Sequence, residues 1–133
     1  CKVGMTISLD RVYRDISGGE LAFEPKISIG AGPRIVKDGK VYGGYSTYEE
    51  EGFGYGLTSS NAVRVCAGIR ANGDLVILEA NTTIPKLSQI MVVFGCQDAV
   101  NFDGGGSANL YVDGYWLYGP QSRLLNNMLY FTD

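Results

Sequence analysis

Histidine is entirely absent from the 133 residues of this chain. A Ser-His-Asp triad, a Cys-His pair, a histidine zinc site and a histidine general base are therefore excluded. Any acid–base chemistry must come from aspartate, glutamate, tyrosine, lysine or cysteine side chains.

Cysteine is scarce: the chain has three, Cys1, Cys66 and Cys96, far apart and without metal-ligand spacing. Cys66 and Cys96 lie in apolar stretches, which favours buried free thiols over a disulfide. We predict no metal and no cofactor. Three interpretations of Cys1 stay open: an accidental first residue, a lipidation or processing point, or an N-terminal nucleophile whose α-amino group acts as the base.

A basic surface and long apolar runs are also missing. The formal net charge is -3, which gives no electrostatic footprint for nucleic acid or an anionic membrane. No apolar run approaches the ~20 residues that span a bilayer, and the N-terminus has no signal-peptide pattern. We therefore predict no nucleic-acid partner and no transmembrane segment.

Glycine and tyrosine, by contrast, are abundant, with 19 and 9 residues, and they favour turns and strands over a helical bundle. The apolar fraction of 45% and the charged fraction of 19% are typical of one soluble globular domain. We predict an α+β fold with a β-rich mixed sheet, one main helix at about residues 83–95 and several hairpins.

The sequence predicts one N-terminal strand and three hairpins. Residues 1–10 alternate polar and apolar side chains, which predicts a half-buried strand. Residues 62–70 and 74–80 flank Asn72-Gly73 and form the clearest hairpin signal, and the second of these strands is so apolar that it should be central and covered on both faces. Asp38-Gly39 and Asp113-Gly114 mark two further hairpins.

The helical period appears once, with the apolar residues on one face. Thr83 is a plausible N-cap, Pro85 suits the first turn, and Gly95 is a stop signal. The apolar stripe predicts core packing and consists of Ile84, Leu87, Ile90, Met91 and Phe94.

Residues 43–60 show no helical or alternating period and therefore predict a long loop. Long loops in compact domains are often lids or binding loops, and tyrosines interleaved with glycines suit carbohydrate stacking. Glu49-Glu50-Glu51 is more simply explained as a solvated acidic run than as a calcium site.

The most informative stretch runs from Asp98 through Asn101 to Tyr111, where a strand-like segment breaks into Gly104-Gly105-Gly106. One interpretation is an ordinary loop. The other is a site in which a ligand approaches the main chain and N–H groups form a concave anion site. The spacing is neither that of a P-loop nor that of a dinucleotide fingerprint.

Two arginines lie in positions of interest. Arg34 leaves the bend around Gly30, Gly32 and Pro33, so it is either a surface residue or an anion clamp. Arg64 stands near the start of an apolar strand, where an unpaired charge is costly, and should find a carboxylate or a ligand.

Several segments together resemble the phosphodiester glycosidase family. Asn101 to Ser107 resembles the N-L-D-G-G-G-S signature, and residues 30–34 with Asp38-Gly39 resemble the G-x-G-P-R segment. Residues 64–69 loosely resemble an R-x-A-x-G-I strand, and residues 121–129 resemble the closing arginine and asparagine segment. The helix that ends at Gly95 is similar to the helix before the signature.

The resemblance implies hydrolysis of a sugar-1-phosphodiester of the N-acetylglucosamine-1-phosphodiester type, which releases the sugar and leaves a phosphomonoester. Asp103 is then the catalytic residue, acting on the sugar as hydroxyl ligand, base or nucleophile. The expected substrate-binding residues hold the phosphate or line the pocket and are Arg34, Arg64, Asn101, Gly104, Gly105, Gly106, Ser107 and Arg123.

The family's upstream Asn-Gly and Phe-rich segment is not found in this sequence. We therefore expect residues 1–133 to form a single phosphodiester glycosidase-like domain without the upstream part, either as the C-terminal portion of a larger protein or as a shortened relative. The expected partners are a carbohydrate phosphodiester and either the missing segment or a second copy. The resemblance implies an extracellular or cell-envelope location.

Two other functions stay open. The first is a carbohydrate-binding domain that keeps the pocket without catalysis, with which the tyrosine-rich segment is equally consistent. The second is a structural fragment that assembles with a separate N-terminal half. Product analysis separates the first from an enzyme, and light scattering tests the second.

Overall fold

A computed structural model describes residues 2–15, 17–26, 28–119, 124–125 and 128–131. The chain divides into two units, residues 1–30 and residues 31–133. Within the described ranges, no helix is long and apolar enough to cross a membrane.

The first unit is irregular. The predicted strand at its N-terminus is wrong: residues 2–10 form no strand, and Val3 and Leu9 are exposed. An alternating pattern indicates that one face of a strand could be buried. A strand also needs a neighbouring strand to accept and donate its backbone hydrogen bonds. In the described part of this unit, pairing is limited to one bridge between Arg14 and Glu20, whose side chains form an ion pair at 3.0 Å.

The second unit is built on an antiparallel sheet, and with its helices it confirms the α+β class. The described residues contribute five strands to this sheet: β1 (Arg34–Lys37), β2 (Lys40–Val41), β3 (Ala62–Arg70), β4 (Leu75–Thr82) and β5 (Cys96–Asn101). Their order across the sheet is β2-β1-β5-β3-β4. A separate hairpin follows, made of β6 (Leu110–Val112) and β7 (Tyr115–Tyr118).

The three predicted hairpins are present. Asp38, Gly39, Asp113 and Gly114 all have positive φ, as a two-residue type I′ turn requires. The prediction that the second strand of the β3–β4 hairpin is central is wrong, because β5 pairs with the other side of β3 and leaves β4 at the edge. Leu75 and Ile77 of β4 are accordingly exposed.

The predicted helix is confirmed as α3 (Ile84–Val93). Thr83 occupies the N-cap position without a side-chain cap bond, and Gly95 has a φ of 80°, a left-handed conformation that suits the residue after the helix. The buried side of α3 packs with the sheet in one core, whose buried members are Ile35, Val36, Tyr48, Cys66, Ile84, Leu87, Met91, Cys96 and Ala99.

The predicted loop at residues 43–60 is wrong, since it contains two short helices, α1 (Tyr45–Glu50) and α2 (Tyr55–Ser59). Helices of five or six residues are unstable alone and carry no readable period, so tertiary contacts must hold them. Tyr48 provides such a contact: its ring is fully buried and its hydroxyl donates to the Tyr42 carbonyl at 3.0 Å.

Cys66 and Cys96 are buried free thiols, as predicted. Burial raises the pKa of the Cys66 thiol to about 12, and burial also raises the pKa of Cys96. Both side chains are therefore neutral, unreactive parts of the core at physiological pH.

Candidate active site

The glycine-rich loop begins where β5 ends. Phe102 donates its N–H to the Val65 carbonyl at 2.8 Å, so the chain still follows β3 at this point. Gly104 then passes so close to β3 that a Cβ at this position would lie 2.5 Å from the Val63 carbonyl oxygen. Only glycine permits this approach, after which the chain turns through a short 3₁₀ helix, Gly105–Ser107.

Two main-chain N–H groups of this loop are available to a ligand. Gly104 donates to Asp103 Oδ1 at 3.0 Å, and Ser107 donates to the Gly104 carbonyl at 3.1 Å. The N–H groups of Gly105 and Gly106 donate to no group in the described ranges, and both glycines are exposed with open space beside their Cα atoms. Adjacent N–H groups in a turn can bind an anion.

Asp103 stands exposed at the start of the same loop, directly before the glycines. Its carboxylate accepts the Gly104 N–H, a bond that fixes its position relative to the loop. The loop therefore presents one carboxylate and free N–H donors side by side. A carboxylate can stabilise or attack an electron-poor carbon, and the donors can hold an anionic group.

Asn101 is buried, with 5% exposure, and ties the loop to the neighbouring bend. Its Nδ2 donates to the Gly32 carbonyl at 3.0 Å and to the Phe102 carbonyl at 2.7 Å. Its Oδ1 and the hydroxyl of Ser107 are buried without a hydrogen-bond partner in the described ranges. Such groups cost free energy, and they concentrate where function constrains the structure.

Arg64 lies beneath the loop and is buried, with 3% exposure. Its Nη2 donates to the carbonyls of Leu57 at 2.5 Å and Ser60 at 3.1 Å, and its Nε donates to the Thr82 carbonyl at 3.5 Å. The expected carboxylate or ligand partner is replaced by main-chain carbonyls, which satisfy the charge without an ion pair. Burial lowers the pKa of its guanidinium.

Arg34 lies on β1 and contacts residues of β1, of β5 and of the segment after β2. Its Nη2 forms an ion pair with Asp98, its Nε donates to the Val36 carbonyl at 3.3 Å, and its guanidinium lies 5.6 Å from the centre of the Tyr42 ring. Both charged side chains of the ion pair are about half exposed. Arg34 is thus engaged with Asp98, two residues before its strand partner Val100.

The structure therefore brings together Asp103, Gly104 and Arg64, since a Cβ on Gly104 would also contact the Arg64 side chain at 3.5 Å. Arg34 is joined to the opposite half of β5, and Arg123 lies outside the described residues. The carbonyl partners of Arg64 on α2 had no sequence signal. The ion pair of Asp98 with Arg34 could not be read from the sequence either, because it depends on the order of the strands in the sheet.

The comparisons with known proteins concern the family and the fold of this chain. The sequence profile of the phosphodiester glycosidase family matches residues 11–132, nearly the whole chain. The chain belongs to the phosphodiester glycosidase family. In general terms, the family's name denotes hydrolases of the glycosidase type.

A solved structure is also similar, a hypothetical protein from Synechocystis, with a TM-score of 0.60 and 26% sequence identity. The match covers 67% of this chain and 17% of that protein, so this member of the phosphodiester glycosidase family aligns with a small part of a much longer chain. No curated protein matches the present chain.

Proposed function

We propose that this chain hydrolyses a sugar-1-phosphodiester, releasing the free sugar and leaving a phosphomonoester. The observation that carries the proposal is that one loop holds the exposed Asp103 carboxylate together with the N–H groups of Gly105 and Gly106, which have no partner among the described residues. Family membership supports the same reaction class.

In the reaction, the bond between the anomeric carbon and the phosphodiester oxygen breaks, and water supplies the oxygen that the sugar gains. Positive charge develops on the anomeric carbon, which a carboxylate at the position of Asp103 stabilises or attacks. The departing phosphate keeps the bonding electrons, and the N–H groups of Gly105 and Gly106 stabilise its negative charge. An alkyl phosphate is a good leaving group, so a strong general acid is not required.

Three arginines take different parts in this proposal. Arg64 positions the loop, because its guanidinium is occupied by three carbonyls and its stem lies against Gly104. Arg34 shares its charge with Asp98, which weakens its attraction for a phosphate. Arg123 remains a predicted phosphate ligand. By family resemblance, the substrate is a glycan component outside the cell or in its envelope.

The test is to incubate the protein with a panel of sugar-1-phosphodiesters, beginning with the methyl ester of N-acetylglucosamine-1-phosphate, and to measure reducing sugar and phosphomonoester. Asp103→Asn should lower turnover at least ~100-fold while dimethyl phosphate still binds, because the glycine N–H groups remain. A matched exposed carboxylate, Asp113→Asn in the β6–β7 turn, should not change turnover. Sugar-phosphate binding without product would instead support a carbohydrate-binding domain.

A further inference from the structure

The α1–α2 segment borders the glycine-rich loop on the side of the Gly32 bend. The Phe53 ring, between the two helices, packs directly against Gly32, where any Cβ would overlap it. Gly32 in turn donates its N–H to the Asn101 carbonyl at 2.8 Å and accepts from the Asn101 side chain. Phe53 is therefore linked to Asn101 of the signature through a single intervening residue, Gly32.

The same segment borders the loop again through Arg64. The carbonyls of Leu57 and Ser60, at the end of α2, accept hydrogen bonds from the Arg64 guanidinium, and the Arg64 stem lies under Gly104. Residues 53–60 are thus fixed to the loop at two separate points. They form a wall beside it.

The α1–α2 segment also carries an aromatic pair that is not part of the buried core. The rings of Tyr45 and Tyr55, at the starts of α1 and α2, meet edge to face with centroids 4.8 Å apart and planes at 62°. Their exposures are 37% and 55%, whereas Tyr48 in the same segment is fully buried. Burial in the core accounts for Tyr48, whereas Tyr45 and Tyr55 contact each other between the starts of α1 and α2 and stay accessible to a ligand.

We propose that Tyr45 and Tyr55 form the sugar subsite of this chain, on which the apolar C–H face of a pyranose ring stacks. A tyrosine offers a flat apolar face for such a ring and a hydroxyl at its edge for a sugar hydroxyl. Edge-to-face packing holds each ring in place, so little side-chain entropy is lost on binding. The inference rests on the proposed function, which places the phosphate end of the same substrate at Gly105 and Gly106.

The test measures equilibrium binding by calorimetry with two probes, the methyl ester of N-acetylglucosamine-1-phosphate and the sugar-free dimethyl phosphate. Tyr55→Ala should weaken binding of the first about tenfold, equivalent to about 1.4 kcal/mol, and leave the second unchanged. Tyr55→Phe should retain most of the affinity because it keeps the ring. Tyr130→Ala, a tyrosine that is 73% exposed outside the β6–β7 hairpin, is the matched control and should change neither.

Equal weakening of both probes, or an unchanged affinity of Tyr55→Ala for the sugar probe, would overturn the subsite. So would a wild-type protein that does not bind the sugar probe at all. Turnover is measured separately: sugar binding that depends on Tyr55 without hydrolysis leaves the subsite standing and removes the proposed reaction. Hydrolysis at the same rate in the wild type and in Tyr55→Ala would support the proposed reaction and contradict the subsite.

Discussion

At the scale of single residues, Arg64 is the side chain on which the arrangement of the site depends. Its guanidinium joins the end of α2 to β3 and β4 through three carbonyl groups in a buried setting. Hydrogen bonds to a charged group are stronger than neutral ones, and carbonyls left unpaired by its removal carry a desolvation cost. A buried arginine beside a signature loop need not bind the substrate to matter for activity.

Replacing Arg64 with methionine keeps an unbranched apolar stem but removes every donor. The free energy of unfolding should fall by about 2–4 kcal/mol. Urea denaturation measures this change, with Arg14→Met as the control because Arg14 holds a half-exposed ion pair worth less than about 1 kcal/mol. Equal stability of the two variants would contradict the account of Arg64.

The Cys66 thiol gives a second residue-scale prediction, because its pKa is raised to about 12 by burial. The unfolded chain releases this proton at about pH 8.5, whereas the folded chain keeps it until about pH 12. Stability attributable to this thiol is therefore fully present below pH 8.5 and is lost as the pH rises towards 12, by up to about 1.4 kcal/mol per pH unit.

Urea denaturation under reducing conditions at pH 8 and pH 10.5 checks the effect of Cys66. The free energy of unfolding should fall less between these pH values in Cys66→Ala than in the wild type, although the variant is less stable at pH 8 because it leaves a small cavity. The difference isolates one thiol from the lysines and tyrosines that also titrate. An identical pH dependence of both proteins would show that the thiol is not buried as described.

At the scale of elements, the glycines of the glycine-rich loop differ in how strongly the fold requires them. Gly104 passes β3 at a distance that excludes a Cβ, whereas Gly106 has nothing within 4 Å of that position. Gly104→Ala should destabilise the fold by about 1–3 kcal/mol, because either the loop or β3 must move. Gly106→Ala should change the free energy of unfolding by less than about 1 kcal/mol.

Thermal unfolding of the two alanine variants measures this difference, and hydrolysis assays extend it to function. Gly104→Ala should also lower turnover, since a displaced loop misplaces Asp103. If both variants unfolded at the same temperature, the close approach of Gly104 to β3 would be disproved.

The elements differ in how far sequence could predict them. Hairpins with Asp-Gly or Asn-Gly turns and the helix α3 follow from local chemistry and were predicted close to their bounds. The position of β4 at the sheet edge could not be predicted, because strand order depends on which strands pair across the whole chain. The helices α1 and α2 were missed because the burial of Tyr48, a tertiary contact, holds them.

The site shows the same division. The turn at the glycines follows from their residue type, whereas the role of Asp103 comes from the family resemblance and stays a prediction. The ion pair of Arg34 with Asp98 and the carbonyl partners of Arg64 could not be predicted, since each joins residues that the sequence separates and only the register of the strands brings together.

At the scale of the whole molecule, exposed apolar side chains indicate association. In the β6–β7 hairpin, Val112, Tyr115 and Leu117 are 42%, 74% and 65% exposed. A two-stranded hairpin is marginally stable alone, and contiguous exposed apolar residues commonly mark interaction surfaces. We expect the 133-residue chain, studied alone, to associate with itself.

Sedimentation equilibrium should give a mass above 14.4 kDa at micromolar concentration, and Leu117→Lys should lower the measured mass towards that of the monomer. A monomer at every concentration would contradict this expectation and would leave the hairpin as a freely exposed surface.

The central claim is that the Asp103 loop cleaves the bond between a sugar and a phosphodiester. The most direct measurement follows reducing sugar and phosphomonoester released from the methyl ester of N-acetylglucosamine-1-phosphate by the wild type, Asp103→Asn and Asp113→Asn. The account predicts equal amounts of both products from the wild type and Asp113→Asn, and at least ~100-fold less from Asp103→Asn. Wild-type turnover in Asp103→Asn, or no release across the substrate panel by the wild type, would contradict it.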